Sequence, residues 1–264
     1  MDVTPITPAC GTEISGFEAG AASVEEIEVI SRALCERGVV VLRDQDLDDA
    51  GQRDLAARFG VPFRFPFGTP VTEAVPEVHA IATDGGGPKV TNADVWHSDA
   101  TFMPEPPMAS VLRAVRLPPT GGDTLFSNMY GAYEMLSTPV RALVDELTAT
   151  HDFTQSTTHR RPLDEQFPPV SHPVVRRHPV TRRKALFVNR IFTARIDGLA
   201  DRESQALLPM LCDVATTPDL QCRVRWAPGT LVMWDNRCVQ HYATFDYEGP
   251  RVMHRLLLAG DRPT

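Results

Sequence analysis

The sequence predicts an α+β protein with a mainly β core: a double-stranded β-helix, or jelly roll, carrying flanking helices and lid-like insertions. Three observations carry this expectation. The last third of the chain is a series of short apolar segments, Cys222 to Trp226, Thr230 to Trp234 and Arg251 to Ala259, with Pro228-Gly229 as a turn. Helical patterns are concentrated early and in the middle of the chain. The 264 residues are 42% hydrophobic and show no internal repeat, which suits one large core spanning 1–264 as a single domain.

The elements follow in order. Residues from about Thr4 to Gly20 alternate weakly and read as a strand pair or a loop. Ser23-Val24-Glu25-Glu26 is a capping box, in which Ser23 caps the helix start and Glu26 reaches back to the Ser23 amide. The helix buries Ile27, Ile30 and Leu34 on one stripe and ends at Gly38, a residue suited to a left-handed C-terminal turn. Val39 to Leu42 follows as a buried strand, and a second helix runs from near Asp48 to Gly60.

Residues 61–92 are rich in proline and glycine, including Gly85-Gly86-Gly87-Pro88, and read as a long irregular lid. Ala109 to Leu117 is a buried strand, and Thr120 to Thr124 a turn into Leu125-Phe126. Thr138-Pro139 places a cap and an N1 proline before a helix through Leu147. Residues 150–172 look like a second lid, Phe187-Val188-Asn189 like a strand, and Asp201 to Asp213 like a helix kinked at Pro209.

Composition excludes several function classes. A net charge of −8 and a pI near 5.5 argue against a general nucleic-acid binder. The longest apolar runs are too short to span a bilayer, so no membrane partner is expected. The start, Met-Asp-Val-Thr-Pro, has neither a basic region nor an apolar segment, so a cytoplasmic location is expected. Five cysteines, odd in number and without zinc-site spacing, read as reduced thiols. The basic cluster Arg176, Arg177, Arg182, Arg183 and Lys184 reads as a solvated hairpin tip.

The chemistry centres on Trp96-His97-Ser98-Asp99. On an extended strand, His97 and Asp99 leave from one face, so an imidazole nitrogen and a carboxylate oxygen can converge on one ion. His241 is the best third ligand. Two histidines and a carboxylate on one face of an octahedral ion leave three positions open, as in non-haem Fe(II) oxygenases. Arg251 follows His241 at a distance that fits one strand, a turn and a return, and arginine is the natural bidentate partner of a carboxylate. His-x-Asp alone is a weak signal; the separate motifs together are not.

The combination of Trp96 to Phe102, Thr120 to Thr124, Trp234 to Arg237, Gln240 to Ala243 and Arg251 to Arg255 resembles the taurine dioxygenase family. The resemblance runs from about Gly11 to Pro263 and includes Gly38 to Arg43 and His172 to Arg176. It implies an Fe(II)- and 2-oxoglutarate-dependent dioxygenase, with His97, Asp99 and His241 on the iron. It implies that Arg251 and the Thr124 hydroxyl hold the distal carboxylate of 2-oxoglutarate. It further implies hydroxylation of an aliphatic C–H with O2, releasing succinate and CO2, and even-numbered assemblies such as a dimer or tetramer.

For the substrate, Arg255 resembles the residue that meets an acidic group, and Ser156 and Phe192 fall at positions resembling pocket residues. The chain departs from the taurine enzymes elsewhere. Phe63-Arg64-Phe65-Pro66-Phe67-Gly68 lacks their histidine and tyrosine, and Ala93 stands where they place an asparagine. Phenylalanines in place of polar groups suggest a larger or more apolar anion than taurine, with Arg64 as an alternative anion contact. Sulfonates, sulfate esters and carboxylates fit this description, as does tailoring of an amino acid or natural-product intermediate. A non-catalytic jelly-roll protein binding a metal or small acid, and a zinc hydrolase on the same three ligands, are the rivals from other classes.

Overall fold

The computed structural model describes residues 1–83, 92–156 and 166–264. Its largest sheet has eight strands. Along it lie Asp2–Pro5, Thr12–Ser15, Val39–Leu42, Leu231–Asp235, Ala109–Arg116, Arg251–Leu258 and Pro62–Phe63, with His79–Thr83 also paired to Arg251–Leu258. All these pairs are antiparallel except Thr12–Ser15 with Val39–Leu42. A three-stranded sheet, Gln221–Val224, Thr124–Asn128 and Val239–Ala243, contributes to the same core as one face of the large sheet. A second three-stranded sheet joins Thr193–Ile196, Thr148–His151 and Val170–Pro173.

The centre of the large sheet is buried on both faces, which explains why Val39–Leu42 is apolar throughout rather than alternating. Val39 and Val41 face the small sheet with Val232, Trp234, Phe126 and Val239. Val40 and Leu42 face the opposite way, with Met233 and Leu231, onto Ile27, Ile30 and Leu34 of the helix Val24–Arg37. That helix carries the expected capping box, and Gly38 ends it at φ +76°. The helix Asp49–Ala56 is capped by the Asp48 side chain and packs on the same face.

Several expectations are revised. The stretch 61–92 is not mostly irregular: Pro62–Phe63 and His79–Thr83 are strands on Arg251–Leu258, because that strand would otherwise leave an unpaired edge. Its glycine triplet lies outside the described residues. Within 150–172, His151 and Val170 pair in a ladder, while 157–165 lie outside the described residues. His97 and Asp99 do not lie on a strand; His97 makes only an isolated bridge to His241. Ser137, not Thr138, occupies the N-cap position of the helix Thr138–Val144, without a side-chain capping bond, and Pro139 stands one place later than N1.

Phe187 to Asn189 continues beyond the strand Lys184–Leu186 without a ladder. The Asn189 carboxamide oxygen instead accepts the amides of Ile191 and Phe192. The helix Asp201–Val214 runs through Pro209. The basic cluster does form a hairpin, but Arg176 is fully buried on Asp261 (2.6 Å) with its guanidinium over Phe187. All five cysteines are free thiols. Among the described residues, no helix is long and apolar enough to cross a membrane.

Candidate active site

The Trp96 to Asp99 hook reaches the centre as an irregular loop fastened at both ends. Its outer end is the bridge to His241 on Val239–Ala243. Its inner end is clamped by Asn236: the Asp99 amide donates to Asn236 Oδ1 at 2.6 Å, and Asn236 Nδ2 donates to the carbonyls of Asp99 and Pro107, both at 2.9 Å. The backbone then turns through Ala100 at φ +50°, a left-handed conformation that is rare for a residue with a Cβ. Beyond it, a buried polar network holds Thr101, whose Oγ1 lies 2.9 Å from His151 Nδ1 and 3.0 Å from Asn189 Nδ2.

His97, Asp99 and His241 present one ligand atom each, all within 4.8 Å of one another and all buried. The Asp99 Oδ1 atom lies 3.8 Å from His97 Nε2 and 4.0 Å from His241 Nε2. Each distance is under twice a metal–ligand bond of about 2.1 Å, so one ion can bridge them. The protonation states suit that task. Burial pushes both imidazoles toward the neutral form, His241 down to about 3. His97 Nδ1 faces the Val95 carbonyl at 2.7 Å, so it donates there and leaves the Nε2 lone pair toward the centre. Burial opposes ionisation of Asp99, but Arg255, both histidines and the Ser110 hydroxyl outweigh it and hold the carboxyl well below its usual range.

The donor set therefore fits a divalent ion: two neutral imidazole nitrogens and one anionic oxygen. Ser110, which donates to Asp99 Oδ2 at 2.7 Å, and Asn236 were given no role from the sequence. Ser110 sits in an apolar strand and Asn236 in a motif read only as a family mark; neither carries a local signal for a partner so far along the chain. Trp234 is a core aromatic and also a neighbour of the centre, its ring 4.8 Å from that of His241.

Arg251 and Thr124 come together through Trp226. The indole Nε1–H donates to Thr124 Oγ1 at 3.0 Å, and the Arg251 guanidinium lies 5.9 Å from the Trp226 ring. Arg251 is buried, and among the described residues no carboxylate is hydrogen-bonded to it. Burial lowers its pKa, with Tyr247 and Asp123 opposing the shift. Gly122, at φ +71°, makes this packing feasible: a Cβ there would lie 3.1 Å from Arg251 Cδ and Nε.

Arg255 lies against the centre rather than open to the pocket alone. Its Nη1 donates to Asp99 Oδ1 at 2.9 Å, its Nε to His79 Nε2 at 3.0 Å, and its guanidinium lies 5.6 Å from the Phe65 ring centroid. Next to it is a cluster of phenylalanines. Phe67 stacks on Phe153 at 5.0 Å and touches Phe102 and Phe167, and Phe102 meets Phe192 at 5.0 Å. Phe192 is thus part of the apolar wall, and Ser156 is buried beside it on the turn that begins at Phe153. Arg64 is exposed and forms no ion pair among the described residues.

A second cluster, Cys35, His178 and Asp235, also brings three ligand atoms within 4.8 Å. Its groups are already used. His178 Nδ1 accepts from the Val180 and Thr181 amides, so Nε2 carries the proton and donates to Asp235 at 3.0 Å. Arg237 takes both Asp235 oxygens at 2.8 and 2.6 Å. That cluster ties the basic hairpin to the large sheet.

Comparison with known proteins places this geometry among relatives. The chain is 34% identical to an alpha-ketoglutarate-dependent sulfate ester dioxygenase of Pseudomonas putida, over 100% of the chain and 91% of that protein. It is 32% identical to an alpha-ketoglutarate-dependent 2,4-dichlorophenoxyacetate dioxygenase of Burkholderia sp. (strain RASC), over 92% of the chain and 89% of that protein. It superimposes on a taurine dioxygenase of Burkholderia xenovorans with a TM-score of 0.87 at 35% identity, covering 100% of the chain and 92% of the other. The model of the taurine catabolism dioxygenase TauD, TfdA family matches residues 2–257, and the chain belongs to that family of alpha-ketoglutarate-dependent dioxygenases.

Proposed function

We propose that His97, Asp99 and His241 hold Fe(II), that Arg251 and Thr124 fix the distal carboxylate of 2-oxoglutarate, and that the enzyme hydroxylates a small anion with an apolar body. The observation that carries the reading is the pairing of a buried, empty-handed cation with a ligand triad. Among the described residues Arg251 lies inside the protein without a bonded acid, while three metal-ligating atoms converge on the Val239–Ala243 strand and the facing hook. A buried guanidinium without a carboxylate is costly unless a ligand brings one.

Bound at this triad, iron with 2-oxoglutarate and O2 supplies an oxidant strong enough to cleave an aliphatic C–H bond, with succinate and CO2 as coproducts. The side chains supply placement. Because Thr124 Oγ1 accepts from Trp226, its own proton is free to donate to the same carboxylate that Arg251 holds. The surroundings favour the ionised form of Asp99 and the neutral form of both histidines, the forms in which each can ligate a metal. The phenylalanine wall excludes water from the reacting carbon and matches an apolar body.

Arg255 is the partner proposed for the anionic end of the substrate, with Ser156 and Phe192 lining the pocket and Arg64 as a further anion contact. A sulfate ester is the favoured class, because hydroxylation on the carbon bearing the ester oxygen gives a product that collapses with loss of sulfate. We read the facing antiparallel sheets as a double-stranded β-helix and residues 1–264 as one catalytic domain acting in the cytoplasm. Anaerobic addition of Fe(II) and then 2-oxoglutarate is expected to give a weak visible charge-transfer band that needs both. Aerobic turnover with hexyl sulfate is expected to yield succinate and sulfate together. A folded, iron-loaded protein without the band would return the assignment to a metal-binding jelly roll or a zinc enzyme.

A further inference from the structure

The Arg255 guanidinium is shared between two acceptors of different kinds. One is Asp99, a proposed iron ligand, which takes Nη1; the other is His79, which takes Nε at 3.0 Å. His79 and Arg255 are direct cross-strand partners in the antiparallel pair of His79–Thr83 with Arg251–Leu258. Adjacent cross-strand side chains stand close enough for such a bond to be set by the ladder itself. The imidazole is buried, stacks on Phe65 at 5.9 Å, and lies over Gly68, where a Cβ would come within 2.8 Å of His79 Cγ. Phe65 thus packs against both members of the pair, the ring of one and the guanidinium of the other.

The direction of the bond follows from chemistry. An arginine Nε carries only a proton to give, so His79 Nε2 must accept and the imidazole must be neutral, protonated on Nδ1. Burial and the adjacent guanidinium both favour that neutral form and bring its pKa down to about 3. Among the described residues, Arg255 Nη2 makes no hydrogen bond.

We propose that His79 is a positioning residue: by holding Arg255 Nε, it keeps the guanidinium from turning both Nη groups onto Asp99 and leaves Nη2 facing the anionic end of the substrate. A planar fork beside a carboxylate otherwise favours the bidentate arrangement, with two parallel N–H bonds. That arrangement would withdraw the arginine from the substrate and compete with the metal for Asp99. His79 therefore sets how one cation is divided between an iron ligand and a substrate. The inference rests on the proposed role of Arg255 as the substrate's anion contact.

The test compares wild type with His79→Leu, which removes the acceptor, and His79→Gln, whose carboxamide oxygen can accept from Nε. Each protein, loaded anaerobically with Fe(II) and 2-oxoglutarate, is titrated with hexyl sulfate while the charge-transfer band is followed. The Arg255 Nε–H resonance is recorded in the Zn(II)-loaded proteins. His79→Leu is expected to weaken hexyl sulfate by about tenfold or more while 2-oxoglutarate binding stays within about twofold, with His79→Gln recovering most of the loss. The Nε–H resonance is expected to shift in His79→Leu and to return toward its wild-type position in His79→Gln. Wild-type affinity for hexyl sulfate in His79→Leu would overturn the proposal, as would an equal loss of both ligands that His79→Gln does not repair. A wild type that forms the band yet ignores both hexyl sulfate and taurine would instead remove the substrate reading, and this inference with it.

Discussion

His97 and His241 lie opposite each other and exchange both backbone hydrogen bonds, the His97 amide to the His241 carbonyl at 3.1 Å and the reverse at 2.8 Å. The bridge is isolated, with no ladder on either side of it. It gives two imidazoles a fixed separation, their ring centroids 4.2 Å apart, without committing the hook to a strand. The loop is then free to turn at Asp99 and bring a carboxylate to the same point.

The first prediction concerns what holds that turn. Asn236 makes three hydrogen bonds to the backbone around Asp99 and Pro107, all buried. Asn236→Ala leaves a buried amide and two carbonyls without partners. It should cost roughly 2–4 kcal/mol of stability in denaturant melts. Metal affinity, measured by Mn(II) titration, should fall by about 10-fold or more, as it does when groups behind metal ligands are lost. Unchanged Mn(II) affinity would show that the hook holds its shape alone.

The role proposed for Arg251 predicts that cosubstrate binding and metal binding can be separated. Arg251→Ala should raise the 2-oxoglutarate concentration needed for the charge-transfer band by about 10- to 100-fold, the worth of a charge-assisted pair. Fe(II) or Mn(II) binding should be unaltered, because Arg251 touches none of His97, Asp99 and His241. Isothermal titration of both ligands checks the split, and an intact 2-oxoglutarate affinity would remove Arg251 from its role.

Gly122 offers the same test from the backbone side. At φ +71° an added Cβ is strained, and it would press on Arg251 Cδ and Nε at 3.1 Å and on Tyr247 at 3.2 Å. Gly122→Ala should destabilise the protein by about 1–2 kcal/mol and weaken 2-oxoglutarate as well. A stability loss with no change in 2-oxoglutarate affinity would mean that Arg251 has room to move aside.

Acid lability follows from two buried histidines outside the ligand set. Burial, a stronger influence than any neighbouring charge, lowers His79 and His151 to about 3, with Arg255 adding to the first and His172 to the second. The unfolded chain protonates these groups near pH 6.5, the folded protein only near 3, so between those values the unfolded state binds more protons. Stability should therefore be flat above about pH 7 and fall as pH drops through 6.5, by at most about 2 kcal/mol per group at pH 5. Urea melts at pH 7.5 and 5.0 measure this, and His151→Gln should flatten the profile if its own fold is retained.

Much of this was readable from local sequence. The capping box at Ser23 and Glu26 formed as expected because every partner lies within one helical turn. The convergence of His97, Asp99 and His241, and of Arg251 with Thr124, was legible because each residue sits in its own short motif. What escaped depends on partners distant in sequence. The hook was expected on a strand, but its extended shape comes from one bridge to His241 rather than from neighbouring residues. Arg176 was expected in solvent, yet Asp261 near the chain end draws it into the interior. His79 was absorbed into a presumed lid, and only the ladder with Arg251–Leu258 reveals its bond to Arg255.

The strand Arg251–Leu258 has a consequence for how substrate range can change. Arg251, Met253 and Arg255 alternate along it, so both arginines leave from one face, with about 14 Å of extended backbone between their Cα atoms. With the roles proposed for the two arginines, that backbone is a ruler between the cosubstrate's anion and the substrate's anion, ruled by hydrogen bonds on both sides, to Ala109–Arg116 and to His79–Thr83. Inserting or deleting a single residue between the two arginines would turn one of them to the opposite face. New substrates can therefore be accommodated by changing what surrounds the far mark of the ruler, the phenylalanines and His79, while its length stays fixed.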